Sequence, residues 1–494
     1  MLIDGRQVEQ DSFNCDVCVV GSGAAGITIA LELERSGLSV VLLEAGGEQV
    51  TDDSQNFYNA INEGVAYNPK VSRLRCFGGT TGHWAGFCAP LDDSDFEVHH
   101  FINKSGWPIN RSELDRFYRK ANNILELGEY NYDPDYWVDS NRGAGRLELD
   151  GELADKVWHF SPPVRFGNKY KEHLKNSRLI CLLLNAPVVD ISLVSGKKAV
   201  NHVRVKAGEK NFFVEAKKFV LACGGIENPR LLLNANKQLE HGLGNEHDLV
   251  GRYFQEHPTL HHCGDILLTG KNSHSNLYYN SRKKRTNMAN FFTIPGEVRK
   301  QRQLANTAFY TGPPQKYGAL DNEVRGYLNE LYGDLDERDN FKRFAFMTEH
   351  QPNWDSRIYL ADEADQLGMK KAKVDLQLSS SDYDSMRRSI EYFSAAISKS
   401  QVGKVKVKNP EIFTDTKKAL NAQMGWGNHH IGTTKMSDSP SDGVVDKDCR
   451  VHSVENLYIA GSSVFPTSGC ANPTFSIVAL AARLAEHLSH KTAA

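Results

Sequence analysis

Apolar and polar positions alternate along this chain in a way that places several elements before any chemistry is considered. A short β-rich apolar run, Cys15 to Val20, passes through Gly21-Ser-Gly23-Ala24-Ala25-Gly26 into Ile27 to Arg35, where apolar residues recur at helical spacing. Gly37 then leads to a second apolar run, Ser39 to Leu43, so the order predicts a βαβ unit. The same strand, glycine turn and helix pattern returns at Phe219 to Arg230. Near the end, Leu457 to Ala460 reads as a buried strand and Phe475 to Leu488 as an Ala-rich helix. An amphipathic helix is predicted around Glu113 to Leu127. From about residue 255 to 415 strand-like runs alternate with polar loops, Val374 to Leu378 among them, followed by a helix from Asp382 to Lys399. No repeat, low-complexity tract or long linker interrupts the pattern, and the fold class it predicts is α/β.

Composition narrows the function classes. The chain has 494 residues, 40% hydrophobic and 24% charged, enough for two domains and a sizeable core. A formal net charge of -3 gives no global field to recruit nucleic acid or an acidic membrane. No apolar run approaches the ~20 residues that span a bilayer. Met1 to Phe13 is polar and lacks the apolar core of a secretory signal, and the nine cysteines are odd in number and scattered, so a cytoplasmic location is expected. Cys15 and Cys18 form a C-x-x-C, but inside a strand positions three apart face opposite sides, and both read as small core residues. The basic stretch Arg282 to Arg285, with Arg299, Lys300 and Arg302, reads as a solvated surface. No metal site is expected.

The glycines after the first strand carry a specific chemistry. Gly21 permits the tight turn, Gly23 lets backbone approach a pyrophosphate, and Gly26 lets the helix pack closely on the strand. The helix N-terminus, with Ala24 and Ala25 in its first turn, offers free N–H groups and positive partial charge to phosphate. Glu44 ends the second strand, where an acid accepts hydrogen bonds from ribose hydroxyls. Strand, glycines, helix, strand and acid together indicate a dinucleotide, and Glu44-Ala45-Gly46-Gly47 is similar to flavoprotein sequences, which favours FAD over NAD.

Five further blocks carry a resemblance. They are Arg75-Cys-Phe-Gly78-Gly79-Thr80-Thr-Gly82-His83-Trp84, then Ser105-Gly-Trp107-Pro108, then Phe219 to Arg230. Next comes Val250-Gly251-Arg252-Tyr-Phe-Gln-Glu256-His257-Pro258. The last and most specific runs from His429-His430-Ile-Gly432-Thr433 through Asn456 to Gly461-Ser462 and on to Asn472-Pro473-Thr474. In this order they resemble the glucose-methanol-choline (GMC) oxidoreductases along most of the chain, the Trp107-Pro108 block being similar to the pyranose-oxidase side of the family. The resemblance implies a discontinuous Rossmann-like FAD domain, residues 1–100, 180–258 and 416–494. It also implies a substrate domain, 101–179 and 259–415, built on an antiparallel sheet with helices on one face. Val189 and Ala222 join the glycine-rich segments as expected FAD contacts.

The resemblance also implies a reaction, oxidation of an alcohol carbon with hydride passing to flavin, and a favoured substrate class of sugars, glycosides or aminosugars. It assigns the base to His429, the histidine of H-x-x-G-T, and a neutral imidazole suits that work because its ordinary pKa is ~6.5. Asn472 matches the second active-site position. An amide hydrogen-bonds oxygen but takes no proton, which leaves His429 as the base. His430 reads as a wall or supporting residue. His83 stands where some members attach flavin covalently, although Gly82 replaces the Ser or Thr those members carry, so the alternatives are a covalent bond or a ring packed over the flavin. The alternative activities are a cyanohydrin-cleaving lyase of the same fold and an oxidase or dehydrogenase of a non-sugar alcohol. Oxygen or another carrier as electron acceptor, and the oligomeric state, stay open.

Overall fold

The computed structural model describes residues 1–492 apart from 139–145, 197, 270–277, 279–280, 284–285, 313–329 and 332–339. The βαβ unit forms as the pattern predicts. Strand Ser12–Val20 leads into helix α1, Ala24–Arg35, and then strand Val40–Leu43. Val17 to Val20 and Val40–Leu43 are buried on both faces, which is why they read as unbroken apolar runs, while the first half of Ser12–Val20 is partly exposed. They belong to an eight-stranded sheet in the order Leu2–Asp4, Ile180–Leu184, Val40–Leu43, Ser12–Val20, Lys210–Leu221, Val200–Ala207, Val188–Leu193. The first five pair in parallel and the last two add as an antiparallel hairpin. Leu457–Ile459 adds in parallel to the C-terminal half of Lys210–Leu221, so the end of the chain completes the sheet that its start begins. Cys15 and Cys18 are free thiols in this sheet, and burial pushes Cys15 up to about 12.

Four further helices matter for the site: α2, Asp115–Ile124; α3, Gly224–Asn234; α4, Ser380–Lys399; and α5, Thr474–Thr492. Residues 101–179 divide between the two halves of the molecule. Helix α2 packs on α5, with the Tyr118 and Phe475 rings 4.8 Å apart and Tyr118 hydrogen-bonded to Ser476 at 2.7 Å. Strand Ala154–Phe160 joins the second, antiparallel sheet, as does Phe87–Cys88.

Among the described residues that sheet has nine strands, ordered along its main path Gly403–Val407, Pro258–Leu268, Phe341–Thr348, Thr307–Gly312, Thr286–Thr293, Ala154–Phe160, Phe87–Cys88. Alternation sets its two faces. Val157, Met288, Phe292, Phe309 and Phe344 face α4, where Phe393 stacks on Phe309 at 4.3 Å. Trp158, Phe160, Phe291 and Ala308 face the first half.

Two expectations change. Residues 349–356 form a connecting loop, and Arg357–Ala364 and Lys370–Leu376 do not join the large sheet. They make a hairpin that pairs with Ile61–Gly64 in a separate three-stranded sheet. Arg299, expected on a solvated surface, is buried beside Asp95 and Ser94. Lys284 and Arg285 lie outside the described residues.

Candidate active site

Two adjoining cavities, about 690 Å³ and 990 Å³, share Gly21, Glu44, Tyr58 and Cys223 and so form one groove. It runs along the C-terminal ends of the parallel strands, where open α/β sheets bind ligands. At its middle, Gly23 caps α1 without any side-chain hydrogen bond, and a Cβ built on Gly23 would meet nothing within 4 Å. The backbone N–H groups of the first helical turn are therefore presented to open space, the geometry a pyrophosphate requires. Glu44 is buried beside them, accepting from Ser22 N at 3.1 Å, Ser22 Oγ at 2.6 Å and Gly46 N at 2.8 Å. Burial raises its pKa against those hydrogen bonds. Beyond Glu44 the smaller cavity is walled by Ala45, Arg75, Val188, Glu227, Arg230 and the hairpin residues Asp365, Leu367 and Met369. In the other direction the larger cavity reaches Asn428, His429, His430, Pro473 and Thr474 at the start of α5. The donors, the open slot and the length of the groove fit FAD.

At that far end the hydrogen bonds determine which nitrogen of His429 is a base. His429 follows Asn428, which sits in the left-handed region at φ 60°. His257 precedes strand Pro258–Leu268, and its Nε2 lies 2.8 Å from the Gly469 carbonyl. A carbonyl only accepts, so His257 carries its proton on Nε2 and presents a bare Nδ1. His429 Nδ1 lies 2.7 Å from that Nδ1 and must donate to it. Its Nε2 is then left with a free lone pair. Asn472 confirms the orientation: its Oδ1 accepts from the Trp158 indole at 3.2 Å, which turns Nδ2 toward His429 Nε2 at 3.4 Å. Both rings stay neutral. Burial lowers His257 to about 4, and burial together with the adjacent His257 and His430 rings holds His429 well below the ordinary value.

His430 faces the other way. It is buried against Tyr67 and Ser72, with Ser72 Oγ 3.1 Å from Nε2, and burial takes its pKa down to about 3. Tyr67 donates in turn to Glu256 at 3.0 Å. Glu256 lies wholly buried beneath the loop, and burial pushes it up to about 7.

Comparison with known proteins agrees with this geometry. The GMC oxidoreductase profile matches residues 352–481, and the FAD dependent oxidoreductase profile matches residues 16–245. The chain is 26% identical to 2-methyl-1,2-propanediol dehydrogenase from Mycolicibacterium austroafricanum, over 96% of this chain and 95% of that protein. It is 22% identical to the fructose dehydrogenase large subunit of Gluconobacter japonicus, over 97% and 98%. The C-terminal part of the chain thus resembles the GMC oxidoreductases, and the N-terminal part the FAD dependent oxidoreductases. Among solved structures, pyridoxine 4-oxidase from Mesorbium loti shares the fold of this protein, with a TM-score of 0.63 and 16% identity over 97% of this chain and 99% of that one. The protein is thus an FAD-dependent oxidoreductase that acts on alcohol CH–OH groups.

In this enzyme the groove brings together Gly21, Gly23, Ala24, Ala25, Glu44, Ala45, Gly79, Thr80, Trp84, Ala222, His429, Gly461, Ser462, Pro473 and Thr474 from the residues expected at the site. Asn472 reaches it through His429. Others lie off the lining. Gly26 and Gly78 are packing positions, their Cβ positions falling 1.8 Å from Gly21 O and 2.4 Å from Gly167 N. Val189 is core, and its neighbour Val188 lines the groove instead. Gly82 and His83 are exposed and do not line it. Sequence reasoning missed Tyr58, Ser72, Arg75, Arg230, Asp365 and Met369 on the walls, and Trp158 and His257 behind His429 and Asn472. His257 had a signal, since it stands in the G-R-x-x-x-x-H-P block. Trp158 had none, because nothing in its strand marks the residue that will face Asn472.

Proposed function

We propose that this enzyme oxidises a secondary or primary alcohol carbon of a sugar, glycoside or aminosugar, and that His429 takes the hydroxyl proton. The observation that carries the reading is the hydrogen-bond series from Gly469 through His257 to His429, which leaves Nε2 unprotonated at the groove. FAD, when bound, supplies the acceptor for the hydride that leaves the carbon. The protein's own work is to place the hydroxyl between His429 Nε2 and Asn472 Nδ2, to keep His429 neutral so that it can accept, and to hold the amide in one orientation through Trp158. Support for a polyol substrate comes from the relatives named for fructose and for a small 1,2-diol. On this reading the eight-stranded half is the cofactor domain, and the nine-stranded sheet, with Trp158 and Phe291 stacked at 4.4 Å, roofs the substrate.

Anaerobic mixing with a panel of sugars, glycosides, aminosugars and short diols tests the substrate class by bleaching of the flavin. A protein bleached only by acyclic diols sinks the sugar assignment. In His429→Ala, bleaching by the best panel alcohol should slow by roughly 10²–10⁴-fold with FAD still bound, the range for losing a general base. Unchanged kinetics remove His429 from the role.

A further inference from the structure

Behind the catalytic loop lies a group of charged side chains that the hydride chemistry does not use. Glu349, Asp92, Asp95 and Arg299 are all within or against the interface between the two halves, and Asp95, Arg299 and Glu349 are buried. Asn306 ties the carboxylates together: its Nδ2 donates to Asp95 at 2.7 Å and to Asp92 at 3.1 Å, and its backbone N–H donates to Glu349 at 3.1 Å. Lys156 pairs with Asp92 at 2.7 Å, and Arg299 approaches Asp95 at 4.0 Å. Three carboxyls against two cations leave one negative charge when all are ionised, and an uncompensated charge in such a place needs a reason. The other free oxygen of Glu349 supplies one. It accepts from Gly469 N at 3.3 Å, and Gly469 is the residue whose carbonyl receives the His257 proton. Gly469 has φ 57°, and a Cβ there would come 2.6 Å from Asp95 Oδ2, so both the backbone and the carboxylate cluster demand glycine at this point.

We propose that Glu349 is a positioning residue for the base: its carboxylate accepts from the Gly469 N–H and so holds the residue whose carbonyl, in the next peptide group, fixes the proton on His257 Nε2 and hence the bare Nε2 of His429. The inference rests on His429 being the base. In the step itself the substrate O–H bond breaks and an N–H bond forms at His429 Nε2, so the linked pair of histidines gains one positive charge. The negative charge on the cluster, one peptide away, favours that state over the neutral one. Protonated Glu349 would keep the hydrogen-bond network but withdraw the charge. The charged groups that act on its ionisation are Asp95, from the segment before α2, which raises it, and Arg299, from the helix Gly296–Arg302, which lowers it, while the backbone N–H groups of Asn306 and Gly469 favour the carboxylate. Burial first, then Asp95, pushes Glu349 up to about 7. The supporting charge is therefore present above neutrality and lost below it.

The test uses the FAD-loaded enzyme. Infrared difference spectra across pH 6–8 should show the protonated-carboxyl C=O bands of Glu349 and Glu256 disappearing with rising pH in the wild type, and only the Glu256 band in Glu349→Gln. Flavin bleaching by the best panel alcohol should rise through the same pH range in the wild type. In Glu349→Gln it should stay flat at the low-pH level, roughly tenfold to a hundredfold below the wild-type plateau, the scale of a hydrogen bond to a charged group. Asp95→Asn should shift the Glu349 band and the kinetic limb together to lower pH, which a merely structural role for the cluster would not do. A Glu349→Gln enzyme with the wild-type limb and plateau overturns the proposal, and so does a limb unmoved by Asp95→Asn. Failure of the base assignment is read separately, from His429→Ala.

Discussion

Gly23 and Gly26 sit in one turn and need to be glycine for different reasons. At Gly26 a Cβ would lie 1.8 Å from the Gly21 carbonyl, so any side chain breaks the packing of α1 on its strand. At Gly23 a Cβ meets nothing within 4 Å of protein, and the space it would fill is the groove. Gly23→Val is therefore expected to fold, with a melting curve close to that of the wild-type apoprotein, yet to purify colourless because the pyrophosphate cannot approach. A yellow Gly23→Val protein would contradict this use of the turn. His257 and His429 make a related point about single atoms. Two adjacent imidazoles are chemically equivalent in a sequence, and only the carbonyl of Gly469 decides which nitrogen of each carries a proton.

Among the elements, the hairpin formed by Arg357–Ala364 and Lys370–Leu376 changes the picture of the cofactor site most. Its turn is built on Asp365, whose Oδ1 accepts from Leu367 N at 2.8 Å and Met369 N at 3.1 Å. Helix α3 grips that turn through Arg230, which donates to Asp365 at 2.6 Å, to the Lys370 carbonyl at 2.9 Å and to Glu227 at 3.0 Å. The hairpin thus closes the end of the groove beyond Glu44, over the position an adenosine would take. Arg230→Leu leaves Asp365 buried without its partner, a loss of about 3–5 kcal/mol by the usual scale for a broken buried pair. FAD should then leave during gel filtration while the wild type retains it, and the melting temperature should fall. Full FAD retention in Arg230→Leu would show that the hairpin does not hold the nucleotide.

Across the whole molecule the buried titratable groups set the pH range of stability. Burial lowers His159 and His257 to about 4 and His430 to about 3. Groups depressed in this way favour folding above their unfolded value near 6.5, and the benefit is lost as pH falls toward their folded values, by ~1.4 kcal/mol per pH unit for each. Glu256 and Glu349 run oppositely, since burial pushes both up to about 7. Their contribution is present below the unfolded carboxyl value near 4.5 and lost as pH rises through 7. Between pH 4.5 and 6.5 the three imidazoles outweigh the two carboxyls by one group, a loss of ~1.4 kcal/mol for each pH unit of acidification. Below 4.5 the carboxyls no longer distinguish folded from unfolded chain while the imidazoles still do. The melting temperature of the holoenzyme should therefore fall gently from pH 6.5 to 5 and more steeply from 4.5 to 4. A uniform slope across the whole range would refute this balance.

The FAD-binding unit was legible in the residues because each of its requirements is local. A tight turn, a close backbone approach and a helix start each demand a particular residue at a particular spacing, and Gly21, Gly23, Gly26 and Glu44 meet those demands within one βαβ unit. His429 and Asn472 were legible for a different reason, by resemblance to the motifs of a family. The pairings that join distant segments were not. Strand Ile61–Gly64 adds to a hairpin some three hundred residues later, Trp158 crosses from the antiparallel sheet to orient Asn472, and Glu349 reaches Gly469 from a loop that the resemblance read as a sheet strand. Short apolar runs specify that a strand forms and which face is buried, but not its partner strand, because a pairing is selected by how the finished layers fit. The proton on His257 belongs to the same category: it is placed by a carbonyl more than two hundred residues away, which only the folded chain brings within hydrogen-bonding distance.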